Sequence, residues 1–284
     1  FKECFTWSDV GAEFPSFRYL EKGFIIGNRG PAIIQKTLDR SVLGHLNGKI
    51  ARSILNLLNP TLTFNVGNIV DIPVKESIDK HVSDNTHTCI SLAKSDWNAF
   101  ETSWEFSALP LLATKHTSNP IEHTYKFIRS NWREMTIEMQ SLEEANNRIL
   151  IESYGLQDEL TPVVPLREIT LTCNPHYRYG GDKTEAELEA LLLADTMREF
   201  ISYAVGCMFG RYALEKPGLI LANQGETFAD YLKHIPEPSF PADDDNVIPM
   251  LDGEWFSDDV SERFKTFLKV TCATEHYDEN LAFI

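Results

Sequence analysis

The chain has 284 residues, 43% of them hydrophobic and 24% charged, and its formal net charge is −16 at pH 7. This length is sufficient for more than one hydrophobic core, and no apolar run is long enough for a helix that spans a membrane. Five widely spaced cysteines form no C-x-x-C pair, which favours reduced thiols in a cytoplasmic protein and predicts neither a disulfide framework nor a metal site.

The charge is unevenly distributed along the chain. Residues 1–80 hold ten Lys or Arg and eight Asp or Glu, a net of +2, whereas the remainder holds 16 and 34, a net of −18. Affinity for a DNA duplex depends on local phosphate contacts rather than on the global charge. Any DNA contact is therefore expected in the N-terminal third, and the acidic C-terminal third is expected to avoid the duplex or to meet a protein partner.

Residues 43–74 are predicted to form one helix followed by two short strands. Apolar residues spaced three, four or one apart define the helix over 43–58, and Asn59-Pro60 ends it. The alternation of Leu62, Phe64 and Val66 predicts a half-buried strand, and Gly67-Asn68 then turns the chain. A second strand is predicted over 69–72. On pattern alone, this is also what an ordinary α/β packing unit would show.

Residues 119–155 are predicted to form one long helix. Asn119 suits the N-cap, Pro120 the first helical position and Gly155 the end. Apolar residues recur in steps of four and three, as in a heptad seam, and Asn146 fills the one polar seam position. The pattern favours a coiled-coil-like spacer that packs against another long helix, and a core helix of one domain is the alternative. The apolar seam residues are Ile121, Tyr125, Ile128, Trp132, Met135, Met139, Leu142 and Ile149.

The C-terminal part is predicted to be mainly helical. Thr184 and Glu187 match a capping box, which predicts a helix over 184–214, and the prolines between Pro236 and Pro249 predict a loop. The whole chain is therefore predicted to have an α+β fold in three parts. These parts are a mixed strand and helix part (1–112), the spacer helix (113–156) and a C-terminal α+β part that is interpreted as truncated at its end (157–284).

Asn174-Pro175-His176-Tyr177 follows the apolar residues Ile169 and Leu171 and is similar to the Asp/Asn-Pro-Pro-Tyr loop that holds the flipped base in N6-adenine methyltransferases. It has three interpretations: a degenerate catalytic loop, a proline-containing turn before a helix, or a nucleic-acid contact through residues 177–179. His replaces the second Pro, and no glycine-rich cofactor turn follows a strand upstream. Both observations disfavour a catalytic loop.

Residues 43–74 also carry a family resemblance. Their pattern, LGxLNxKIAxxxLxxLNPTLxFxVGxIxxIPV, resembles a segment that follows the catalytic domain in the adenine-specific DNA methyltransferases of bacterial BREX phage-defence systems, the PglX family. Separate blocks fit the same family over nearly the whole chain. They are Trp7-Ser8, Phe17-Arg18-Tyr19 with Lys22-Gly23-Phe24, Asp96-Trp97 with residues 100–104 (FETSW), residues 154–160 (YGLQDEL) and residues 206–212 (GCMFGRY).

The resemblance implies that the chain is the target-recognition and C-terminal segment of a site-specific methyltransferase. It would grip double-stranded DNA while an upstream domain, with bound S-adenosylmethionine, methylates a flipped adenine. Accordingly, no catalytic or cofactor-binding residue is predicted within the segment. The start at Phe1 and the uncapped apolar end are both interpreted as cut ends of a longer polypeptide.

The candidate DNA contacts are the cations of the region without an acidic excess, because Lys and Arg bind phosphates and Arg also reads guanine edges. The candidate contact residues are Arg18, Lys22, Arg29, Lys36, Arg40, Lys49 and Arg52, with Tyr177, Arg178 and Lys183 as a second tier.

An interaction scaffold that docks other BREX proteins without touching DNA is the alternative function, and an enzyme acting through residues 174–177 is a third.

Overall fold

The computed structural model describes residues 2–11, 14–59, 61–113, 119–251, 255–256 and 258–284. Helices and one small antiparallel sheet make up its regular structure, which confirms the predicted α+β class. Within these ranges, no helix combines the length and the apolar character needed to cross a membrane.

The contacts group the chain into two compact units. Unit 1 comprises Phe1–Lys94 and Met135–Thr170, and unit 2 comprises Ser95–Glu134 and Leu171–Ile284. The borders of these units differ from the predicted boundaries at 112/113 and 156/157, and that three-part division stays a prediction about functional parts.

Eleven α-helices and two short 3-10 helices lie in the described ranges. The α-helices are α1 (Arg40–Leu46), α2 (Lys49–Leu58), α3 (Val66–Val70), α4 (Lys80–Trp97), α5 (Pro110–Ala113), α6 (Ile121–Tyr154), α7 (Pro175–Tyr179), α8 (Glu185–Met208), α9 (Phe228–His234), α10 (Val260–Thr271) and α11 (Tyr277–Phe283). The 3-10 helices are Leu166–Glu168 and Thr274–His276.

The sheet of unit 1 has three antiparallel strands, β1 (Cys4–Thr6), β2 (Arg18–Leu20) and β3 (Ala32–Ile33), in the order β2-β1-β3. Phe5 of the central strand lies opposite Tyr19 on one side and Ile33 on the other. The side chains of Phe5 and Trp7 are buried in the core of the unit. Because alternate residues of a strand share a face, this face of the sheet covers the core.

The single helix predicted over 43–58 is wrong, because Asn47 and Gly48 divide it into α1 and α2. Asn47 is the C-cap of α1, and Gly48 is the N-cap of α2 with an extended backbone. The second helix ends at Leu58, as predicted. Pro60, which was expected to end it, lies outside the described residues.

The two strands predicted over 62–66 and 69–72 are also wrong, since residues 66–70 form α3. Asn65 Oδ1 accepts a hydrogen bond from the backbone N–H of Asn68, and Asn68 Oδ1 accepts one from that of Asn65. This reciprocal capping box satisfies backbone groups locally and competes with a sheet ladder. Only one isolated bridge, between Val10 and Thr63, remains of strand pairing among the described residues of this segment.

The long helix is confirmed, because α6 runs without a break from Ile121 to Tyr154 and Gly155 follows it with φ +70°. Most of the apolar seam is buried, and so is Asn146. In unit 1, Asn85 Nδ2 of α4 donates to Asn146 Oδ1 at 3.0 Å, and Asn146 Nδ2 lies 3.4 Å from Thr86 Oγ1. The helix thus packs against α4 there, while a coiled coil with another long helix stays a prediction.

In unit 2, the capping box of Thr184 and Glu187 is confirmed at the start of α8. The helix ends at Met208 rather than at residue 214. A Cβ atom at Gly206 would lie 2.6 Å from the ring of Tyr212, and Gly210 has φ +71°. The two glycines therefore let the chain turn back on the helix, so the block 206–212 has a structural role at the helix end.

The carboxylate of Asp96, in the last turn of α4, holds the segment before α7. Asp96 is buried, and its two oxygens accept hydrogen bonds from the backbone N–H groups of Thr172 at 2.6 Å and Cys173 at 2.9 Å. Residues 169–174 form no strand, contrary to the expected context for a catalytic loop. The backbone N–H groups of Thr172 and Cys173 are satisfied by this side chain instead of by a neighbouring strand.

We predict that Asp96→Ala lowers the free energy of unfolding by about 3 kcal/mol, because two buried amides lose a charged acceptor. Asp96→Asn keeps one acceptor and should lose less. Urea unfolding followed by circular dichroism measures both variants. Wild-type stability of Asp96→Ala would contradict the role assigned to this carboxylate.

Candidate nucleic-acid interface

Five of the predicted contact residues lie on or beside the small sheet of unit 1. The stretch 18–40 holds these five cations and only two acidic residues, Glu21 and Asp39, a net of +3. The five cations are Arg18, Lys22, Arg29, Lys36 and Arg40. The structure thus collects half of the candidate set in one continuous stretch that contains β2 and β3.

Arg18, Lys22 and Lys36 are exposed. In the part of the chain that the structure describes, their side chains make no hydrogen bond or ion pair with another residue. Cations of this kind can bind phosphate without first breaking an internal contact. These three residues are therefore the best placed of the candidates for a phosphate contact.

Arg29 and Arg40 are partly engaged. Arg29 Nη1 lies 2.9 Å from Asp9 Oδ2, but the side chain of Arg29 is 78% exposed, and an ion pair this exposed contributes little stability. The guanidinium of Arg40 lies 5.9 Å from the centre of the Tyr19 ring, and its Nε is buried. Arg40 is thus partly committed to packing at the start of α1.

Lys49 and Arg52 of α2 are bound inside unit 1 by one carboxylate. Glu168 Oε2 lies 2.9 Å from Lys49 Nζ and 2.8 Å from Arg52 Nη1. Burial alone would raise the pKa of Glu168, but the contacts with the two cations outweigh burial and hold that pKa below its usual range. These two residues therefore have a structural role, and the sequence could not indicate it because their partner follows more than 110 residues later.

Lys49 and Glu168 also affect the pKa of a second carboxyl group, that of Glu143 in α6. Burial raises the pKa of Glu143 to about 7, with Lys49 opposing the rise and Glu168 adding to it. Lys49 thus favours the ionised form of both carboxyl groups, but burial prevails only at Glu143. The two cations stabilise the ionised form of Glu168, whereas burial and then the negative charge of Glu168 favour the neutral form of Glu143.

The candidates of unit 2 surround α7. Arg178 Nη2 lies 2.9 Å from Glu199 Oε1 and 3.2 Å from Asp195 Oδ2, so two carboxylates already neutralise it. Lys183 Nζ donates to the carbonyl oxygens of residues 179 and 180. Tyr177 is exposed. Arg178 consequently serves the packing of α7 against α8, and Tyr177 keeps an accessible ring.

Asn174 is fully buried and caps α7. Its side chain accepts a hydrogen bond from the backbone N–H of His176 at 3.2 Å, and Pro175 occupies the first helical turn. This geometry is that of a proline-containing turn before a helix, one of the three interpretations of the tetrapeptide. The side chain does not face solvent, where an extruded base would have to reach it.

One feature of the sheet was missed in the sequence. All nine residues from Glu21 to Arg29 are exposed, including the contiguous apolar residues Phe24, Ile25 and Ile26. The signal was present as an apolar triplet between Gly23 and Gly27, close to Lys22. Of this triplet, only Phe24 contributed to the predictions, as part of a block that carries the family resemblance.

No protein-family model matches the chain. The whole chain is 36% identical over 289 residues to the adenine-specific methyltransferase BrxX of Escherichia coli O9:H4 (strain HS). It is 33% identical over 291 residues to the adenine-specific methyltransferase PglX of Lacticaseibacillus casei (strain Zhang). The chain spans 23% and 22% of the length of these two relatives. The predicted resemblance to a segment of such methyltransferases is therefore confirmed along the entire chain.

The raised pKa of Glu143 predicts a pH dependence of stability. The folded pKa, about 7, lies above the ordinary value of 4.5, so the contribution of the neutral form is fully present below about pH 4.5 and is lost as the pH rises through about 7. Glu143→Gln stays neutral and should be more stable than the wild type at pH 8 by about 1–2 kcal/mol, with little difference at pH 5. Chemical unfolding at both pH values measures this.

The exposed Glu138 on the same helix supplies the control. Glu138→Gln should show the same pH dependence as the wild type. An identical stability difference between Glu143→Gln and the wild type at pH 5 and pH 8 would contradict the assignment.

Proposed function

We propose that the chain is the DNA-recognition segment of a site-specific, S-adenosylmethionine-dependent N6-adenine DNA methyltransferase of a BREX phage-defence system. Similarity along the whole chain to two adenine-specific methyltransferases supports this proposal. The chain spans under a quarter of those relatives, so we assign methyl transfer and cofactor binding to other parts of a larger cytoplasmic protein. Double-stranded DNA is the partner of this segment.

The observation that supports the recognition role is that the candidate cations include two sets, one paired with carboxylates and one exposed on the sheet stretch. Carboxylates neutralise Lys49, Arg52 and Arg178 within their own units. The sheet stretch 18–40 instead presents exposed cations at a local net charge of +3. A surface of this kind attracts phosphates locally even when the whole chain is acidic.

A protein-interaction scaffold within the defence complex is the second candidate function. It is favoured by the large acidic excess after residue 80 and by exposed apolar side chains on α2 and α3, such as Leu57 and Val70. Binding of a partner protein without any salt-dependent affinity for duplex DNA would support this alternative.

The recognition role predicts the salt dependence of duplex binding. Lys22→Ala and Lys36→Ala should each reduce the slope of log affinity against log salt concentration by about one, since each loses one phosphate contact. Lys49→Ala is the matched control: its slope should be unchanged, while its thermal stability falls because Glu168 loses a partner. Fluorescence anisotropy of a labelled duplex over a salt series measures the slopes. Unchanged slopes in both sheet variants would refute the assignment.

The proposal also predicts where the chemistry does not occur. The 284-residue chain alone should neither methylate DNA nor bind S-adenosylmethionine, because methyl transfer needs both substrates held together. In the longer protein, Asn174→Ala should keep methylation largely intact, because Asn174 acts as a buried helix cap. A methyl-incorporation assay on both proteins tests this, with Asn174→Ser as a variant that retains a cap. A loss of several orders of magnitude in a folded Asn174→Ala protein would show that residues 174–177 are the active site.

A further inference from the structure

The connection from β2 to β3 presents an apolar tip to solvent. Phe24 is 56% exposed, Ile25 83% and Ile26 38%, and the three are consecutive. Exposing one large apolar residue is common, but three in a row leave apolar surface in water that a binding partner could remove at a gain in free energy. We call residues 22–29 the tip loop.

The base of the tip loop is fixed by the sheet. Asp9 N–H donates to the carbonyl of Arg29 at 3.2 Å, and Thr6 Oγ1 donates to that of Pro31 at 2.8 Å. Gly23 has φ +111°, a conformation that L side chains rarely adopt, so it lets the chain leave β2 and project Phe24. A loop held at its base loses less conformational entropy when it binds than a loose one does.

Cations flank the apolar tip on both sides along the chain. Lys22 precedes it and Arg29 follows it, and both are exposed. Two acidic residues near the tip loop are engaged in ion pairs, since Glu21 Oε1 lies 2.7 Å from Lys94 Nζ and Asp9 Oδ2 lies 2.9 Å from Arg29 Nη1. The tip loop therefore combines an apolar end with flanking positive charge, which matches a polyanion that has apolar surface between its charges.

We propose that the tip loop enters a groove of duplex DNA, with Phe24 and Ile25 packed against the bases and with Lys22 and Arg29 on the flanking phosphates. This inference rests on the proposed recognition function and assigns the base-contacting element. Apolar side chains act in this way as wedges between base steps or as contacts to thymine methyl groups, while phosphates supply the opposite charge. An anionic lipid surface shares part of this chemistry and is one arm of the test.

The experiment compares two double variants of the 284-residue chain. Phe24→Ser/Ile25→Ser removes the tip, and Leu57→Ser/Val70→Ser removes side chains that are 85% and 74% exposed elsewhere in unit 1. Binding is measured by anisotropy with a mixed-sequence duplex over a salt series and by sedimentation with phosphatidylserine-containing vesicles. All four side chains are exposed, so both variants should keep the wild-type melting temperature, which is measured alongside.

The tip variant should bind the duplex about tenfold more weakly at every salt concentration, with an unchanged salt slope, because it loses apolar burial and no charge. The control variant should stay within about twofold of the wild type. Equal affinities of the two variants, with salt-dependent binding retained, would overturn the tip-loop proposal and leave the recognition function standing.

Two further outcomes are decisive. A wild-type chain with no salt-dependent affinity for the duplex would overturn the recognition function and the tip-loop proposal together. A tip variant that loses vesicle binding but keeps its duplex affinity would assign the loop to a membrane surface, which also overturns the proposal.

Discussion

The packing of unit 1 depends on how the first turn of α2 is held. Its N-cap is Gly48, which has no side chain to accept a hydrogen bond, and Asn147 of α6 supplies that acceptor. Asn147 Oδ1 accepts from the backbone N–H of Lys49 at 2.9 Å, while its Nδ2 donates to the carbonyl of Pro162. Glu168 then binds Lys49 and Arg52 one turn apart. A Cβ atom at position 48 would lie 3.2 Å from Asn147 Oδ1, so glycine permits this approach.

Because Glu168 binds Lys49 and Arg52, these two cations are less available to a ligand than exposed cations are. The cations of α2 hold the segment after α6 in place, and Arg178 does the same for α7 in unit 2. Among the described residues, the exposed side chains of Arg18, Lys22 and Lys36, on and beside the small sheet, make no hydrogen bond or ion pair. The net charge of −16 therefore says little about DNA affinity, since the acidic residues are distributed differently from the exposed cations. Under the proposed recognition function, the phosphates of duplex DNA are the partner of these cations.

Sequence reasoning succeeded where local rules decide the structure. The heptad steps and Gly155 predicted α6, and the capping box at Thr184 predicted the start of α8, because side chains three or four residues apart determine both. It failed over residues 62–72, where alternation suggested strands but a reciprocal pair of asparagines favours a short helix. Partners far apart in the chain, such as Glu168 and the cations of α2, left no local pattern. The candidate set, which was chosen mainly by charge, therefore could not distinguish exposed cations from internal ones.

Amide hydrogen–deuterium exchange of the chain, with and without duplex DNA, locates the DNA-facing surface. We expect slower exchange on DNA addition in residues 18–36, with α2 unchanged because its cations Lys49 and Arg52 are paired with Glu168. Slower exchange confined to residues 171–284, or in no part of the chain at a saturating duplex concentration, would contradict the assignment of the DNA-facing surface to the small sheet of unit 1.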